Sequence, residues 1–168
     1  MKTSCLSLFV LLFSLLSCSR EDDLTQILTQ ELKMTEYYQN EKTKRIDLLM
    51  KSLCDSNSVF SPGQKYMLYD KLYEEYLTYR FDSTFHYAQL LKHQAQMIAE
   101  ANYIVDAKTK YSMVLSSGGF FKEAIDSLST IDITRGNLAD SIITNYYIAG
   151  GRIYHNMANL PTIHQNLD

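Results

Sequence analysis

Behind the single positive charge of Lys2, an apolar run from Leu6 to Leu16, interrupted only by serines, is the first pattern in the chain. A membrane-spanning helix needs roughly 20 such residues, whereas the core of an export signal needs about 7 to 15. The run therefore predicts a segment removed on export. The pattern then turns helical. Leu24, Ile27, Leu28 and Leu32 recur at a spacing of three and four, as do Ile46, Leu49 and Leu53, with no proline or glycine from Asp22 to Leu53. This predicts one long helix. Gln39 and Lys42 stand where a heptad seam needs apolar side chains, so a regular coiled coil is not expected. Glu41 and Arg45 are spaced to pair across one turn.

Asp55 to Ser58 breaks this helix, and Ser61-Pro62-Gly63-Gln64 opens the next. Ser61 can cap, Pro62 loses nothing at the first helical position, and Gln64 is placed to close a capping box. Tyr69, Leu72, Tyr73 and Tyr76 share one face of a helix expected to reach Tyr79. Asp82 offers a cap for a helix carrying Phe85, Ala88, Leu91, Ala95 and Ile98, and another follows from Ala101 with Ala107, Tyr111, Val114 and Leu115 buried. Gly118-Gly119 ends it. A short helix carries Phe121, Ala124, Ile125 and Leu128. The last, from Leu138 to Ala158, is expected to bury Ile142, Tyr146, Ile153, Tyr154 and Met157, and Gly150-Gly151 within it permits a close helix approach. The fold class is all-α: a long N-terminal helix followed by antiparallel helical hairpins stacked into a short α-solenoid.

Composition sharpens this picture. Six glycines and two prolines among 168 residues favour long helices and short turns, and thirteen tyrosines with no tryptophan suit helix seams whose edges reach water. A net charge of −3 gives no basic excess to gather phosphates, so nucleic acid is not an expected partner. With Cys5 in the exported signal and Cys18 modified, Cys54 is left alone, without an internal disulfide or a cysteine cluster for metal.

Leu15-Leu16-Ser17-Cys18 resembles the lipobox of bacterial lipoproteins, whose cysteine is acylated and becomes the new N-terminus. That resemblance implies a signal peptide over 1–17, lipidation at Cys18, and a mature chain of about 150 residues tethered in the cell envelope, on the periplasmic side or at the outer-membrane surface. Ser19-Arg20-Glu21-Asp22-Asp23 resembles the acidic signals that carry some Bacteroidota lipoproteins to the cell surface, and is equally the acidic first turn of a helix.

Tyr111-Ser112, Leu115, Gly119, Phe121, Ala124 and Leu128 resemble a tetratricopeptide repeat: a large residue beside a small one, a turn glycine, an aromatic, and a small residue at the helix crossing. The frame recurs weakly with Phe81 and Thr84, and again with Gly150-Gly151, Tyr154, Ala158 and Leu160, at offsets of about 40 rather than the usual period of about 34. Glu41 to Leu53, Leu72 to Tyr76, Asp82 to Ala88 and Gly119 to Ala124 resemble the N-terminal half of Bacteroidota proteins carrying the domain called DUF6377. That implies an extracytoplasmic repeat segment of a membrane-associated regulator, here lacking the membrane helix and output part, with a third hairpin short of its second helix. The organisation expected is a tether and long helix over 18–55, repeats over 61–160 and a disordered tail over 161–168.

Little in the chain points to chemistry. His86 and His93 lie about 10.5 Å apart along one helix, too far to share an ion unaided. Glu74 and Glu75 do not face one another, and Ser116 to Gly119 matches neither a nucleophile elbow nor a phosphate loop. No cofactor, metal or catalytic residue is assigned, and the chain is not expected to be an enzyme. The expected function is a membrane-tethered module for protein–protein interaction or extracytoplasmic sensing, with a protein partner and with the membrane reached through the lipid at Cys18. Large anchors are expected at Tyr73, Tyr76, Phe121 and Tyr154. Two alternatives stand beside it: an accessory lipoprotein binding glycan or peptide in nutrient uptake, and a truncated remnant of a membrane-bound regulator.

Overall fold

A computed structural model describes residues 3–55, 59–134 and 136–159, with side chains described from Leu24 onward. The lipidation expected at Cys18 and the tail expected over 161–168 lie outside these side chains and residues, as does Leu160. The described elements are all helical: α1 (Thr3–Cys54), α2 (Pro62–Tyr76), α3 (Phe81–Ile98), α4 (Ala101–Ser117), α5 (Phe121–Ser129) and α6 (Asp140–Ala158). The chain divides into two compact units, Met1–Arg45 and Ile46–Asp168.

In the first unit, the stripe Leu24, Ile27, Leu28 and Leu32 is exposed. Glu41 pairs at 2.7 Å with Lys44, one turn away. The Lys44 hydrogen bond and charge hold the Glu41 carboxyl below its ordinary range, and the charge of Arg45 adds to this.

The second unit opens on the end of α1, where Ile46 is buried and Leu49 and Leu53 pack against the first of two cores. The capping box forms as the sequence implies: Gln64 N–H donates to Ser61 Oγ at 3.3 Å, and Ser61 N–H donates to Gln64 Oε1 at 2.9 Å. α2 stops at Tyr76, short of the expected Tyr79, because the amides of Tyr79 and Arg80 both turn back to the Tyr76 carbonyl at 3.1 Å. Asp82 is not the cap of α3. Arg80 holds that position, and Asp82 lies in the first turn, where a carboxylate still complements the helix dipole. Leu72, Ala88 and Leu91 are fully buried where α2 packs on α3, and Ala107 and Val114 of α4 close this core.

α4 packs on α5 and α6 around a second core built on Leu115, Ala124, Leu128 and Ile153. The turn between α4 and α5 is a Schellman motif. Phe120 N–H donates to Leu115 O at 2.9 Å and Gly119 N–H to Ser116 O at 3.1 Å, with Gly119 at φ +83°. A Cβ on the neighbouring Gly118 would lie 2.5 Å from the exposed Phe81 ring, which would have to shift, whereas Gly119 is held by its left-handed backbone. Ser112 and Ala124, the small residues of the repeat frame, are both 0% exposed, and Thr84 is buried at the equivalent place in α3.

α6 begins at Asp140 instead of Leu138. Leu138 is buried as part of the loop, which is anchored where Ala139 N–H donates to Asn102 Oδ1 at 2.9 Å. The helix buries Ala149 and Ile153, while Tyr154 and Met157, expected inside, are exposed. Among the described helices α6 packs on α4 and α5 alone, which cover one face of it.

Ala99 ends α3 at φ +59°, a left-handed conformation that costs a residue with a Cβ roughly 1 kcal/mol. Ala99→Gly should therefore raise the unfolding free energy by roughly 0.5–1 kcal/mol. A urea midpoint at or below that of the parent chain would contradict the strain.

Candidate functional site

Successive hairpins are tied through their first helices, α2, α4 and α6, by side chains forty positions apart. Tyr66 Oη donates to Asp106 Oδ2 at 2.6 Å, Lys110 Nζ donates to Asp70 Oδ1, and Asn156 Nδ2 donates to Ser116 Oγ at 3.4 Å. Lys110 Nζ also donates to Asp106 Oδ2, one turn away on α4, at 2.9 Å. The period read from the sequence is thus a physical register that sets the three helices side by side with α4 in the middle.

That register opens a groove. Its cavity of about 210 Å³ is floored by Asp106, Thr109, Lys110 and Met113 of α4. Tyr73 and Glu74 of α2, with Leu77 just beyond its end, form one wall, and Asn145, Ile148, Ala149 and Arg152 of α6 form the other. The α4 and α6 contributions each fall at positions i, i+3, i+4 and i+7, one helical face, and they superpose at an offset of 39. Leu77 and Ile148 are exposed apolar side chains, and Met113 is half-buried between them in the lining.

The electrostatics are uneven. Burial works against the charge of Lys110, but the carboxylates of Asp106 and Asp70 outweigh it and hold the ammonium above its usual range. Burial also pushes up the phenols of Tyr66 and Tyr73; for Tyr66 the Asp106 carboxylate adds to the effect, and for Tyr73 the charge of Glu74 does. Glu74 itself stands on the rim, and its carboxyl is raised by partial burial against the lowering pull of Lys110. Thr109 is 5% exposed, and its Oγ1 is buried with no hydrogen-bond partner among the described residues.

The structure does not bring the four expected anchors together. Tyr73 lines the groove but is 3% exposed, its hydroxyl 3.5 Å from the Lys110 carbonyl, so it builds the wall more than it offers a ring. Tyr76 stacks on Tyr87 at 5.6 Å, with the rings 6° from parallel, among the tyrosines between α2 and α3. Phe121 is half-buried at the start of α5. Tyr154 is exposed beside a different cavity, of about 320 Å³, between α5 and α6. Glu74, Thr109, Met113, Ile148 and Arg152, which line the groove, carry no large ring and do not stand out from the sequence one by one. The signal that finds them is the polar-apolar face repeated at an offset of 39.

Among the described residues, no three of His, Cys, Asp and Glu gather as metal ligands would, and no helix is long and apolar enough to cross a membrane. Cys54 is exposed with a free thiol. A family profile described as the SusR N-terminal TPR domain, TPR standing for tetratricopeptide repeat, matches residues 32–166. No curated protein and no solved structure gives a significant match.

Proposed function

The chain belongs to the family of SusR N-terminal TPR domains, and on that premise we propose that it is an envelope-tethered interaction module holding a segment of a partner protein in the α2–α4–α6 groove. A repeat domain of this kind is a non-catalytic protein-interaction scaffold, and the groove leaves the apolar side chains of Leu77 and Ile148 uncovered beside polar ones. The exposure of Leu77 and Ile148 on opposite walls of the cavity carries the reading. Lipidation at Cys18 supplies the tether and is supported by the Leu6–Leu16 run and the Leu-Leu-Ser-Cys motif. The likeness of Glu41 to Leu53 and Gly119 to Ala124 to Bacteroidota DUF6377-containing proteins supports a regulatory or sensory setting for the interaction.

Because Leu77 and Ile148 are exposed, Leu77→Glu with Ile148→Glu should leave the fold intact and reduce crosslinking of the native partner in cells at least tenfold. Cys18→Ser should abolish lipid labelling and release the chain from the membrane fraction while leaving the purified groove competent to bind. Unchanged crosslinking by a folded double variant would rule the groove out, and a Cys18→Ser chain that stays lipid-labelled would rule the tether out.

A further inference from the structure

Two polar groups of the groove are left unmatched by the fold. Thr109 Oγ1 is buried without a hydrogen-bond partner, although buried hydroxyls in folded proteins nearly always have one. Glu74 makes no ion pair among the described residues. Its natural counter-ion would be Lys110, but that ammonium is divided between Asp70 and Asp106. On the α2–α4 side, Glu74 and Asp106 line the groove with Lys110, and Asp70, outside the lining, takes a share of the same ammonium. The α6 wall carries the opposite sign in Arg152, which has no ion-pair partner among the described residues either.

Building on the protein-binding reading of the groove, we propose that it selects a partner segment presenting a lysine or arginine beside an aliphatic side chain, with the cation on Glu74. The apolar surface of Leu77, Met113 and Ile148 suits both the aliphatic neighbour and the methylene stem of the basic residue, which lies along apolar surface while its head reaches a charge. Arg152 repels that head from the α6 wall and so fixes the direction in which the segment lies. The partial burial that disfavours the lone charge of Glu74 acts in the same sense, since an arriving cation removes the penalty.

The test is selection of peptides from a random displayed library on the full chain purified in detergent, with the folding of every variant checked by circular dichroism. The recovered peptides should share a Lys or Arg flanked by Leu, Ile, Val or Met. Glu74→Gln should weaken them at least tenfold, and Glu74→Arg should turn the recovered preference toward Asp and Glu. Glu123→Arg makes the same charge change on the exposed surface of α5 and should leave binding unaltered. Peptides that are lost with Ile148→Glu yet carry no basic residue, or that ignore Glu74→Arg, overturn the charge selection and leave the groove as a binding site. If no recovered peptide depends on Leu77 or Ile148, the groove reading falls, and the charge selection with it.

Discussion

Lys110→Met should lower the unfolding free energy by about 2–3 kcal/mol, a large part of the total for a domain of this size. Lys110 is the one cation that Asp70 on α2 and Asp106 on α4 share, with side-chain exposures of 19% for the lysine, 33% for Asp70 and 15% for Asp106. Removing one partner of a fully buried pair costs about 3–5 kcal/mol, because the remaining charge loses its compensation without regaining water. The partial exposure of Asp70 lets solvent repay some of that loss, hence the smaller figure. Methionine keeps the length and apolar stem of the lysine, so packing changes little and the electrostatic part is what is read. Adding Asp70→Asn and Asp106→Asn to the methionine variant should recover at least half the loss, since the uncompensated charges are then gone. Urea unfolding at pH 7 measures all three chains. A loss below 1 kcal/mol for Lys110→Met would mean that the cluster does not join the two hairpins energetically.

The same cluster shows how far the sequence can be read. The capping box at Ser61, the break at Gly118-Gly119 and the burial of Ala107, Ser112 and Ala124 are decided by neighbours within a few residues or by a repeat frame, and all were legible before the fold was known. Asp82 does not cap α3 because a good capping residue does not by itself choose the first turn; after the tight turn on the Tyr76 carbonyl, α3 starts two residues earlier, with Arg80 at the cap. Tyr154 and Met157 are exposed although they lie on the apolar stripe, because a helical stripe marks an apolar face and not what covers it.

The groove was hardest to see. Its residues mix Glu, Asp, Thr, Lys, Met, Asn and Arg, a composition that reads as solvated helix surface until α2, α4 and α6 are set side by side. The link Asp70–Lys110 is visible as a forty-residue offset only once that offset is known to matter, which makes the hydrogen bonds between hairpins, more than the tyrosines, the signature of this domain.

Stability should also fall steeply in alkali, by about 2.7 kcal/mol per pH unit from Tyr66 and Tyr73 together once the pH passes 10. Both phenols are raised in the folded chain from an ordinary value of 10.0, so above that pH the unfolded chain gives up two protons that the folded chain keeps. A raised folded value means stability that is complete below the unfolded value and lost as pH rises beyond it, and each proton contributes about 1.36 kcal/mol per unit. Burial is the leading cause at both positions, since neither ring site can hold a phenolate at low cost, and Asp106, which accepts the Tyr66 hydroxyl proton at 2.6 Å, would face a like charge if that proton left. Lys110 works in the same direction: its raised ammonium is a stabilising charge that is lost in still stronger alkali. Tyr66→Phe should remove about half of the two-tyrosine slope, at the expense of about 1.5–3 kcal/mol at neutral pH for the hydrogen bond to the Asp106 carboxylate. Tyr66→Phe with Tyr73→Phe should remove nearly all of it. Urea unfolding at pH 8, 9.5, 10.5 and 11 gives the slopes directly, and a double variant that loses stability as fast as the parent would show that the phenolates are accommodated and that these helices separate before the tyrosines titrate.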